Sequence, residues 1–93
     1  MEQAVIKEAV DRITQMELCF DALQSAANVN PSAIRENASL RALLHHLTQY
    51  YEGGQWLNDY ALDEAGLLPR DLKRGVLAQD SVFDLLDRIG QAD

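Results

Sequence analysis

Only one cysteine, Cys19, occurs in the 93 residues, so no intrachain disulfide can form. No CxxC and no HExxH is present, which removes two common short zinc signatures. A lone cysteine inside an apolar helical stripe reads as a small buried hydrophobe, not a nucleophile. Basic residues are also scarce, with 8 Lys and Arg against 15 Asp and Glu, net −7 and a sequence pI of about 4.6. Residues 1–30 carry five acids and two bases, residues 31–53 two of each, and residues 54–93 eight acids and four bases. No segment is basic, which argues against nucleic acid and against an anionic membrane surface as partners. No apolar run approaches the ~20 residues of a membrane span. The first residues, MEQAVIKEAVDR, are charged and lack the apolar core of a signal peptide. A cytoplasmic, reduced setting is therefore expected.

Sparse proline and glycine shape the rest. There are two Pro and five Gly, and none precedes Pro31. In the unbroken first stretch Ile6, Ala9, Ile13, Met16, Phe20, Leu23 and Ala27 recur at 3-4-3-4-3-4 spacing, an a/d seam. The other positions carry Lys7, Glu8, Asp11, Arg12, Glu17 and Asp21. This predicts a helix over about 2–27, roughly 39 Å long at 1.5 Å per residue. Such a length invites a partner for part of the seam. Asn28 to Ser32 is a break, with Asn30 as cap and Pro31 at the first position of a second helix.

The second helix is expected to reach about Tyr51, with Ile34, Leu40, Leu43, Leu44, Leu47, Tyr50 and Tyr51 as its apolar face. Residues 32–37 are weakly patterned, so it begins late or kinks near Asn37-Ala38-Ser39. The two helices should form an antiparallel hairpin. Gly53-Gly54 separates it from a helix over about 55–65 bearing Trp56, Leu57, Tyr60 and Ala61, which Gly66 stops. Pro69 to Arg74 reads as one helical turn, with Asp71 near its start and Lys73-Arg74 at its end. Val76 and Leu77 should dip inward. A last helix carries Val82, Leu85, Leu86 and Ile89, with Asp80 as its cap. No sustained period-two alternation predicts a strand.

These elements predict one all-α domain over 1–93. It comprises a helical hairpin over 1–52 packed with shorter helices over 53–93, a small helical bundle. A chain this size buries roughly 60–65% of its extended surface, enough for one small core and no large enclosed cavity.

Few residue groups suggest chemistry. His45 and His46 are helix neighbours ~100° apart, so they cannot chelate one metal together; one is expected near the core edge and one in solvent. The carboxylates Asp59, Asp63, Glu64, Asp71, Asp80, Asp84 and Asp87 are either a solvated surface with caps or a site for a cation or acid–base work. Calcium-loop spacing is absent. Lys73-Arg74, the adjacent basic pair, either bonds Asp59, Asp63 or Asp84 or meets an acidic partner. Tyr50, Tyr51, Trp56 and Tyr60 are core with hydroxyls at the rim, or a recognition surface. No phosphate-binding glycine loop and no Ser/His/Asp arrangement is recognisable. No cofactor is implied and no catalytic residue stands out.

The string from Tyr50 to Leu86 resembles a small bacterial all-helical family, domain of unknown function family 4298. The resemblance rests on Tyr50-Tyr51, Trp56-x-x-Asp59, Asp63-Glu64-x-Gly66, Leu68-Pro69-x-Asp71-Leu72-Lys73-Arg74-Gly75-Val76-Leu77, Asp80 and Phe83-Asp84-Leu85-Leu86. It is well marked over the last 40 or so residues and extends over the first two helices as a helical pattern. It implies a helical fold and a bacterial cytoplasmic setting, and no activity. Gly53 and Ala78 stand where family members often carry Ser before a helix. Ala cannot cap, a loss of ~1 kcal/mol unless Asp80 takes over.

The expected function is a non-enzymatic protein–protein interaction or self-associating module, with Trp56, Asp59, Lys73 and Arg74 as candidate interaction residues. The alternatives are a small metal- or ligand-binding protein using carboxylates near Asp59 and Asp84, and a regulator that masks a basic surface.

Overall fold

A computed structural model describes residues 2–78 and 80–90. Helix α1 spans Glu2–Val29, α2 Ser32–Glu36, α3 Ala38–Glu52, α4 Gln55–Glu64 and α5 Ser81–Gly90, with a 3-10 turn at Gly75–Leu77. No strand occurs among the described residues. At 1.5 Å per residue α1 is about 42 Å long, and it sets the 44 Å long axis of a molecule 23 by 22 Å across.

The seam of α1 is covered within the chain. Ala9, Ile13, Phe20, Leu23 and Ala27 are buried, and Ile6 and Met16 are half-buried against the same core. These seam positions pack against other helices of the same chain. The other side of the core comes from Ile34, Leu47, Tyr50, Leu68, Val76, Leu77, Val82, Leu85 and Ile89. Val76 and Leu77 do point inward, as expected.

The break after α1 follows the local chemistry. Asn30 Oδ1 accepts the N–H of Ser32, and Pro31 already has helical dihedrals, φ −56° and ψ −33°. The kink expected near residue 37 is a full break. Asn37 is extended at φ −104°, ψ 118°, and its side chain accepts the Leu40 N–H, which caps α3. Tyr50, near the end of α3, lies beside Arg12 of α1 through a shared partner, so the hairpin is antiparallel.

Gly53 caps the end of α3, and a side chain does not fit there, because a Cβ would lie 2.6 Å from the Gln49 carbonyl oxygen. Gly66 ends α4 with φ 72°. Its N–H bonds the Asp63 carbonyl and the Leu67 N–H bonds the Leu62 carbonyl, the paired 5→2 and 6→1 bonds of a Schellman stop.

The helical turn expected at Pro69 to Arg74 is reduced to a single i→i+3 turn at its start. Only one bond, Leu72 N–H to the Pro69 carbonyl, closes a turn, and the helical geometry falls at Gly75–Leu77 instead. Burial of Val76 and Leu77 outweighs the local dipole pattern. At α5 the Asp80 carbonyl accepts the Asp84 N–H, the first helical bond, so Asp80 occupies the cap position in place of Ala78.

Candidate functional site

Asp59 is fully buried on α4 and is held chiefly by groups from α1 and α3. Arg12 of α1 donates twice, Nε to Oδ2 at 2.9 Å and Nη2 to Oδ1 at 2.5 Å. The Tyr50 hydroxyl donates to Oδ2 at 2.8 Å and Asn58 Nδ2 to Oδ1 at 3.4 Å. Charge-assisted, two-pronged geometry of this kind offsets the desolvation of a buried carboxylate. The hydrogen bond to Asp59 raises the Arg12 pKa above its ordinary value. Burial, then the bond to Asp59, push the Tyr50 hydroxyl pKa far up. The group ties α1, α3 and α4 together and leaves no lone pair open to a substrate.

Glu17 is the second buried acid, 4% exposed. Its Oε1 accepts the Val76 N–H at 2.5 Å, which anchors the 3-10 turn to α1. Its Oε2 is buried without a hydrogen-bond partner, and the nearest cation is Lys73 Nζ at 3.8 Å. Arg12 and Glu17, placed by spacing among the charged positions outside the seam, therefore both turn inward. No sequence signal separates them from Glu8 or Asp11, because the loop and α4 that receive them lie far along the chain.

The four candidate residues do not form one site. Trp56 and Asp59 do not bond each other. Trp56 Nε1 donates to the Val76 carbonyl at 2.8 Å, and its ring stacks on Tyr60 with centroids 5.1 Å apart. Tyr51 meets the Trp56 ring edge-on at 5.3 Å. Arg74 pairs with Asp63, as expected, and also donates to the carbonyls of Pro69 and Leu72, pinning the loop after α4. Lys73 pairs with Asp21 and approaches Glu17, not Asp59, Asp63 or Asp84. The bond to Asp21 raises the Lys73 pKa.

Other expectations divide. Of the aromatic cluster, Tyr50 is core with its hydroxyl inside, not at the rim, while Tyr51, Trp56 and Tyr60 are half-buried. His45 and His46 are both exposed, so neither packs at the core edge. Cys19 is buried, and burial raises its thiol pKa, which suits a packing role. Among the described residues no group of three or more His, Cys, Asp or Glu is placed to hold a metal ion. Asp59 is committed to Arg12, and Asp84 is exposed on α5, so the two carboxylates named for a ligand do not converge.

Leu18 and Leu57 are exposed apolar residues, and two further surface features bear on function. An open groove of about 350 Å³ is lined by Val10, Thr14, Pro69, Asp71, Leu72 and Lys73. On α5, Phe83 is 55% exposed between the exposed acids Asp80 and Asp84.

A family model covers residues 13–91, which hold both buried acids, the Trp56 ladder and the pinned loop. The chain belongs to the DUF4298 family, a domain of unknown function. The match reaches well beyond the last 40 residues, into α1. In this DUF4298 chain Arg12, the main partner of Asp59, stands one residue ahead of the matched segment. Comparison with curated proteins and with solved structures gives no match. No described helix of the chain is long and apolar enough to cross a membrane.

Proposed function

We propose that this DUF4298 chain is a non-enzymatic module that docks onto a partner protein through the outer face of α5. Phe83 carries the reading. It is a large aromatic with more than half of its surface in water, and core packing does not account for it. Aromatics including Phe are enriched in interface cores, and the few residues that dominate binding cost about 2 kcal/mol or more each when truncated. Leu57 on α4 is similarly exposed.

Two further observations support the reading. Two acids of the motif are engaged internally, Asp59 with Arg12 and Asp63 with Arg74, and Glu17 of α1 accepts the Val76 N–H with one of its oxygens. The acids Asp80 and Asp84 beside Phe83, in a chain of net −7, favour a basic rim on the partner. A second copy carries the same negative charge and is repelled at low salt.

Light scattering and affinity capture from the host lysate test this together. The expected result is a monomer that retains a salt-sensitive partner, and loses it on Phe83→Ala without loss of helicity. A monomer with no Phe83-dependent partner would sink the reading. A mass that doubles with concentration would replace it with self-association.

A further inference from the structure

The groove beside the loop after α4 plays no part in that reading. Val10, Thr14, Glu17 and Asp21 recur at 4-3-4 spacing and share one face of α1. The first two line the groove, and the last two hold Lys73, which forms its wall. Lys73 Nζ thus sits between an open, mostly aliphatic space and a pair of carboxylates.

That pair is incompletely satisfied. Glu17 Oε2 is buried, lacks a hydrogen-bond partner, and faces Lys73 at 3.8 Å. Buried side-chain oxygens nearly always find a partner, so this one has unused capacity for a donor. The charge count is uneven as well. Glu17, Asp21 and Asp71 supply three negative groups around one ammonium, and Asp71 has no ion-pair partner among the described residues. Arg74 next door is committed to Asp63. Lys73 is 66% exposed on a flexible stem, so turning its head to water costs its surface ion pair with Asp21 and no core packing.

We propose that this groove binds an aliphatic diamine. One ammonium takes the place of Lys73 Nζ and donates to Glu17 Oε2 and Asp21, the methylene chain lies along Val10 and Leu72, and the second ammonium meets Asp71. Two positive charges offset most of the three negative ones once Lys73 has turned to water. An anion is repelled by the same negative charges. A magnesium or calcium ion needs six or more oxygens at fixed distances, which aliphatic walls do not supply. The Thr14 hydroxyl, which donates to the Val10 carbonyl, keeps lone pairs for an incoming N–H.

The test is calorimetric titration of the full chain with 1,4-diaminobutane at low salt. Parallel titrations use butylamine, magnesium chloride and a lysine-containing peptide. Saturable diamine binding is expected, about tenfold tighter than butylamine, with the advantage lost in Asp71→Asn. Asp71 is exposed and unpaired, so that variant leaves the fold intact. Glu17→Gln should weaken both amines. The site idea is overturned by equal affinity for diamine and butylamine, by unchanged affinity in Asp71→Asn, by equal competition from magnesium, or by no binding at about 10 mM. Peptide binding that exceeds diamine binding also overturns it in favour of a protein ligand. None of these outcomes depends on whether Phe83 docks a partner.

Discussion

Arg12 closes two hydrogen bonds on Asp59, 47 residues away, and the carboxylate it holds is entirely shielded from water. The two partners differ in exposure. The Arg12 side chain is 23% exposed and can reach solvent if released, whereas Asp59 cannot. Removing the cation should therefore cost more than neutralising the acid. Arg12→Met is expected to lose about 3–5 kcal/mol of unfolding free energy, and Asp59→Asn about 1–3 kcal/mol. Urea unfolding monitored by circular dichroism measures both. An Arg12→Met that matches or beats Asp59→Asn would show that the pair is not what ties α1 to α4.

Alkaline stability should report the Tyr50 hydroxyl. Its folded pKa is raised above the ordinary value near 10 by burial and by the bond to Asp59. A raised folded pKa means that the unfolded chain gives up this proton first. The contribution is then complete below pH ~10 and is lost as pH rises beyond it, by up to ~1.4 kcal/mol per pH unit. Tyr50→Phe cannot titrate, so its stability should fall less steeply between pH ~10 and ~11. Parallel slopes for the two proteins would contradict the buried Tyr50–Asp59 bond.

Trp56 holds the loop through one bond to the Val76 carbonyl. Trp56→Phe keeps an aromatic body and deletes that donor, which leaves the carbonyl of a buried residue short of a partner. A loss of about 1–2 kcal/mol is expected in thermal or chemical unfolding. Amide exchange at Val76 should quicken more than exchange in the middle of α1, since the 3-10 turn is the element released. A uniform increase across the chain would mean that Trp56 acts by bulk packing alone.

Gly66 sits at φ 72°, and a Cβ built on it would meet no atom within 4 Å. Only the backbone conformation opposes a side chain there. Gly66→Ala should destabilise by about 1 kcal/mol, with Gly66→Asn smaller because Asn tolerates the left-handed region. Equal effects of Ala and Asn would point to packing, not dihedral preference, as the constraint.

The linear order of residues determined the helices and most of their ends. The 3-4 spacing from Ile6 to Ala27 specifies α1, Asn30-Pro31 restarts the chain, and Gly53 and Gly66 stop α3 and α4. Those signals act within a few residues, through caps, dihedrals and periodic apolar faces, so they are readable in place. The Arg74–Asp63 pair is nearly of this kind, since the Gly66 stop folds the loop back over 11 residues. Tertiary structure alone decided the rest. Arg12 and Glu17 carry charges that spacing places outside the seam, yet α4 and the loop lie over them and turn both inward. The dipole pattern of Pro69 to Arg74 favours a helical turn, and burial of Val76 and Leu77 shifts it to Gly75–Leu77. Lys73 meets Asp21 and Glu17 because α1 passes beneath the loop, a proximity that 52 residues of separation conceal. Short-range conformational preferences are local and additive enough to read along a chain. The pairing of buried charges depends on which helix faces meet, and that is settled only when the whole core closes.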